Sequence, residues 1–132
     1  MIEVGSIIDQ NSDMHGSLSG VRNVSRYRPL AADRGLPSDL SLVAAGQVER
    51  LRPHFATGEI GHSSWLTWTE IDAIDWDELA QTTEPVGLSS VDQIATRRDA
   101  LSQPWLLPFD LMRRLAQDYG NDNVRLVVWF DG

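Results

Sequence analysis

Apolar residues recur at helical spacing in five stretches of the chain and alternate in two. Residues 2–8 are apolar at positions 2, 4, 7 and 8, an alternation that slips at Gly5 and Ser6 and predicts a strand. Met14, Leu18 and Val21 share one side of a helix over 13–21, weakened by Gly16 and Gly20. A second helix starts from a cap at Ser38 or Asp39 and buries Leu40, Val43, Ala44, Val48 and Leu51. It stops near residue 51, because Pro53 restricts the backbone before it. A glycine-bearing loop over 57–61 leads into His62-Ser63-Ser64-Trp65-Leu66. Thr67-Trp68-Thr69-Glu70 then has the capping-box pattern: the threonine oxygen accepts a free backbone N–H while the glutamate reaches back. Asp75-Trp76-Asp77-Glu78 offers another start of the same kind, so 67–81 reads as two short helices or one bent helix.

Ser90-Val91-Asp92-Gln93 opens a helix to about residue 102, with Val91, Ile94, Ala95 and Leu101 on one face and Pro104 ending it. Pro108 suits the first turn of the last helix. Its inner side is Leu111, Met112, Leu115 and Tyr119; Asp110 can pair with Arg113 or Arg114, and Gly120 is the C-cap. Val124, Leu126, Val128 and Phe130 alternate with Val127 and Trp129, which predicts a strand covered on both sides. The expected fold is α+β, with four or five helices packed on a small, mainly antiparallel sheet that includes this last strand. One globular domain over residues 1–132 is expected, since no repeat or linker divides the chain.

Composition narrows the chemistry. At 132 residues and 42% hydrophobic content, folding buries roughly two-thirds of the unfolded surface, enough for a core without staples. There is no cysteine, which excludes disulfides, thiolate metal sites and a cysteine nucleophile. No apolar run nears the ~20 residues of a membrane span, and residues 1–4 lack a signal peptide's basic flank. A cytoplasmic location is expected. The net charge of −8 is unevenly divided: residues 1–66 hold seven acids and six arginines, residues 67–132 twelve acids and five arginines, so the second half carries −7. That balance disfavours nucleic acid and anionic membranes as partners and favours a protein with a basic surface. The aperiodic 22–39 stretch holds four of the eleven arginines; such runs are usually functional or pinned by specific contacts.

Gly20-Val21-Arg22-Asn23, Arg34-Gly35-Leu36-Pro37-Ser38-Asp39-Leu40-Ser41, Gly61-His62-Ser63-Ser64-Trp65-Leu66-Thr67 and the ending Val124-Arg125-Leu126-Val127-Val128-Trp129-Phe130-Asp131 occur in this order. Together they resemble a family of small uncharacterised proteins of bacteriophage and bacterial genomes, over about three-quarters of the chain. The resemblance implies no defined activity. Members of that family often start with a strand bearing Cys-Asp-Ile-His and read His-Ser-His-Ser-Trp at the histidine motif. Here the first is absent and the second is one histidine poorer, which removes most of any metal-ligand set.

Two groups of residues are candidates for function. His62 lies in a loop just before a helix N-terminus, where backbone N–H groups can hold an anion, and its imidazole suits a general base near neutral pH. Ser63 and Ser64 are its polar neighbours, and Arg34 can bind a carboxylate or phosphate with two donors. The same residues suit structural work in tight turns, and the weight falls there. His15 and His54 show no metal-type spacing with His62, and no phosphate loop is present. No metal or cofactor is expected.

The second group is the acidic flank: Trp68, Glu70, Asp72, Asp75, Trp76, Asp77 and Glu78, in a stretch without a basic residue from 67 to 84. Aromatic anchors beside acids suit recognition of a basic protein, although two helices with tryptophans inward and acids outward give the same pattern. Trp105 and Trp129 read as core. The leading expectation is a small acidic interaction or inhibitor protein, immunity-like or a phage counter-defence protein, that occludes a macromolecular partner. The alternative is a small enzyme or ligand-binding protein with an anion-accepting pocket around His62 and Arg34, which requires the 22–39 and 57–67 segments to converge on one cleft. A third possibility is a subunit whose tryptophans fill a contact between copies.

Overall fold

A computed structural model describes residues 1–4, 12–19, 27–32, 34–58, 60–79, 96–101 and 103–131. Three strands, β1 (Ile2–Val4), β2 (Ile60–Thr67) and β3 (Val124–Asp131), form a mixed sheet in the order β1-β3-β2. β3 is the middle strand. It runs parallel to β1, with Glu3 opposite Arg125, and antiparallel to β2, with Leu66 opposite Leu126. Around the sheet stand α1 (Ser12–Ser19), α2 (Leu42–Arg50), α3 (Arg52–Thr57), α4 (Trp68–Asp72), α5 (Arg97–Ala100) and α6 (Gln103–Tyr119), with a 3-10 turn at Asn121–Asn123. The fold is α+β, and its longer strand pair is antiparallel.

The alternation in β3 decides where the helices go. Val124, Leu126 and Val128 face one side and pack with Leu66, Met14 and Leu18, and with Trp105 and Met112 from α6. Val127 and Trp129 face the other side, where Leu40, Val48, Leu51, Phe55 and Trp65 cover them. The Phe55 ring meets Trp129 edge-on, 6.0 Å between centroids. Trp105 and Trp129 are both core residues, as expected. Fully burying a large apolar side chain contributes about 1.5–3 kcal/mol, so the main cluster supplies most of the driving force.

Several elements depart from the sequence expectations. In the first strand, only residues 2–4 are described as strand, and the remainder of 2–8 lies outside the described residues. The cap of α2 is Ser41, whose side chain accepts from Ala44 N–H, because Asp39 is taken by Arg125. Val43 is 75% exposed rather than buried, while Leu40, Val48 and Leu51 pack partly buried against Val127 and Trp129. Pro53 does end α2, and it also opens α3, where a missing N–H costs little. The 57–61 loop is shorter than expected, and the His62 motif lies within β2 rather than in a loop, the strand running directly into α4.

Thr67 caps α4 with both arms of the box made, as read from the sequence. Asp75 starts no helix. Its carboxylate accepts the Asp77 N–H and its carbonyl the Glu78 N–H, closing a turn instead. Most of the predicted 90–102 helix lies outside the described residues, and Thr96 is extended, capping only the short α5. α6 begins at Gln103, so Pro104 sits in its first turn and Pro108 inside it. Its buried face is Trp105, Phe109, Met112 and Ala116, with Leu115 packed partly buried beside it and Leu111 and Tyr119 exposed. Asp110 pairs with both Arg113 and Arg114, and Gly120 (φ +97°) closes the helix through its N–H to Ala116.

Candidate interaction site

β2 carries an irregularity where the histidine motif lies. Gly61 faces Phe130 but Ser64 faces Val128, so His62 and Ser63 together oppose Trp129. This is a β-bulge, a device that bends a strand and frees backbone groups for other partners. The Ser63 carbonyl accepts the Gly35 N–H at 3.0 Å, and the buried Ser64 hydroxyl donates to the Ala31 carbonyl. The two segments do converge. What they build is a seam: Ser63 and Ser64 bind backbone, and the His62 side chain lies outside the described residues.

Arg34 closes this seam. Its guanidinium donates to both oxygens of Glu70, at 2.8 and 2.6 Å, and to the Trp65 carbonyl at 3.0 Å, while lying 5.0 Å from the Trp65 ring centroid. These Arg34 bonds hold the Glu70 carboxyl below its ordinary range against the opposing effect of burial, and the Thr67 N–H adds to them. A guanidinium paired this way has its fork occupied and offers little to an incoming anion. Among the described residues no group of three His, Asp or Glu side chains stands close enough to hold a metal ion. Among the described residues no helix is long and apolar enough to cross a membrane.

The acidic flank separates into two kinds of residue. Glu70 and Glu78 face inward to arginines: Glu78 accepts from Arg97 at 2.6 Å and from Arg28 at 3.0 Å. The Arg97 bond lowers the Glu78 carboxyl most, ahead of Arg28, with burial opposing. Arg97 itself is fully buried and also donates to the Ser17 carbonyl, the Ser17 hydroxyl and the Arg28 carbonyl, joining α5 to α1. Trp68 is buried under α6, so it is a core residue and presents no anchor to a partner. Asp72, Asp75 and Asp77 are exposed, and Trp76 is half-buried with its ring 6.0 Å from Phe109.

Asp72 and Trp76 line a groove of about 320 Å³ between α4 and α6. Its floor is Ile71, Leu101 and Phe109, and Leu106, half exposed, forms the far lip. Arg113 lies on the same lip, 5.5 Å from the Trp68 ring centroid and bonded to Asp110 at 3.1 Å. Sequence reasoning found Trp76 and Asp72 but missed the α6 wall. The signal was present in the adjacent apolar residues of α6, which a strictly inward-facing stripe does not account for. Comparison with protein-family models, curated proteins and solved structures finds no match.

Proposed function

We propose that this chain is a small acidic interaction protein of the cytoplasm, immunity-like or a phage counter-defence protein, that binds and occludes a partner with a basic surface. The observation that carries this reading is the exposed Asp72 beside the half-buried Trp76 at the mouth of an apolar groove, with the exposed Asp75 and Asp77 flanking Trp76 in the chain. Partly buried tryptophans supply binding energy, and surrounding acids select and steer a cationic partner. The −7 charge of residues 67–132 extends the same attraction over the whole half-chain. Glu70, Glu78 and Trp68 support the flank from within, through the Arg34 and Arg97 pairs and the core, and the exposed Asp77 pairs with the exposed Arg98 at 3.2 Å, so the contact set is led by Asp72, Asp75 and Trp76.

The test is affinity capture with the immobilised chain at low and high salt, beside the variant Asp72→Asn/Asp75→Asn/Asp77→Asn. Asparagine at position 75 keeps the side-chain oxygen that accepts the Asp77 N–H, and an exposed pair such as Arg98–Asp77 is worth at most about 1 kcal/mol, so an unchanged melting midpoint checks that the variant is folded. A partner retained at low salt, released at high salt and held at least roughly tenfold more weakly by the variant is the expected result. Equal retention by the variant overturns the proposal.

A further inference from the structure

We infer that the groove between α4 and α6 receives a short segment of the partner that sets a large apolar side chain on the floor and an arginine or lysine against Asp72. This rests on the docking reading of the same flank and specifies the chemistry that the flank selects. The floor of Ile71, Leu101 and Phe109, flanked by Trp76 and Leu106, is apolar and large enough for one bulky side chain with part of a neighbour's stem. Leu106 stands half exposed at its lip, so an occupant would remove from water apolar area that the fold leaves wet.

Charge at the rim picks the sign of the flanking group. Asp110 already accepts from Arg113 and Arg114, at 3.1 and 3.2 Å. Asp72 forms no ion pair among the described residues and borders the apolar floor, so it is the carboxylate left for an incoming cation. The Arg113 guanidinium on the Trp68 ring demonstrates that this wall accommodates a cation over an aromatic face. An acidic segment meets repulsion from Asp72 at the rim and from Asp75 nearby, Asp77 being paired with Arg98, and a purely apolar one leaves the Asp72 carboxylate crowded and unpaired.

A random-peptide display library selected on the full chain tests this, with counter-selection on Leu106→Asp and a second variant, Asp72→Asn. The expected outcome is enrichment of peptides that pair a leucine, phenylalanine or tryptophan with an adjacent arginine or lysine. Their binding should fall to background on Leu106→Asp, which places a charge at the lip of the apolar floor, and weaken roughly fivefold on Asp72→Asn. Both substitutions are at solvent-facing side chains, and an unchanged circular dichroism spectrum and melting midpoint establish that the fold is retained. No enrichment, an acidic consensus, or binders indifferent to Leu106→Asp overturns the inference. If the display fails while the triple aspartate variant still loses its captured partner, the docking reading stands and the groove is not its socket. If neither experiment detects binding, both fall.

Discussion

Single arginines hold this molecule together by joining segments far apart in the chain. Arg125 sits in β3 at 4% side-chain exposure, donates to Glu3 at 2.7 and 3.0 Å, and reaches the Asp39 carboxylate and carbonyl. Glu3 in turn accepts the Ser41 N–H at 2.6 Å, so one buried pair ties β1, β3 and the start of α2. Burial pushes the Glu3 carboxyl up, but the Ser41 hydrogen bonds and then the Arg125 guanidinium outweigh it and hold it below the ordinary range. Replacing Glu3 by Gln therefore leaves a buried guanidinium underpaired, and urea unfolding should register a loss of about 3 kcal/mol. A loss within error of zero would mean that Asp39 alone satisfies Arg125. None of this was legible in the sequence, because the partners lie 122 residues apart and nothing in spacing or pattern joins them. Arg34 was legible as a turn residue, but its fork on Glu70 follows from how the seam brings Gly35 to Ser63.

Local signals were most reliable where the chain satisfies its own backbone. The Thr67–Glu70 box, the Gly120 terminus and the Asp110 pairs depend on residues three or four apart, and each stands where the sequence reading put it. Boundaries that tertiary contacts settle were misread. Pro108 looked like a helix start, yet burial of Trp105 and Phe109 carries α6 through it despite the lost bond to the Pro104 carbonyl. Asp75 looked like a cap and instead closes a turn, since Glu78 is drawn to Arg97 and Arg28. Gly120 permits a direct check at this scale. At φ +97° an added Cβ is strained, and it also meets the Asn123 amide nitrogen at 3.2 Å. Gly120→Ala should lower stability by about 1–2 kcal/mol, read as a drop in the thermal midpoint. An unchanged midpoint would show that the junction of α6 with β3 yields without cost.

Acid response belongs to the molecule as a whole. Glu3, Glu70 and Glu78 are all held below the ordinary carboxylate value of 4.5 by arginine and backbone donors. Between those lowered values and 4.5 the unfolded chain binds more protons than the folded one, so stability rises with pH across that window. It is fully present above about pH 5 and declines as the pH falls below 4.5. Chemical unfolding at a series of pH values should give a plateau above that range and a fall on its acid side, and a flat profile down to about pH 3 would show these carboxylates unshifted. The α+β class was legible because periodicity distinguishes helix from strand, whereas the strand order was not, since it depends on which distant segments meet. That order has a consequence for biosynthesis. β3 lies between two strands that precede it in the chain, and both apolar clusters need its side chains. On the ribosome, β1 and β2 emerge with no central ladder to join, and neither sheet face has a floor to close upon. Assembly of the sheet must therefore wait for translation to pass residue 131, so a nascent chain paused before residue 124 remains open to chaperones and proteases alike.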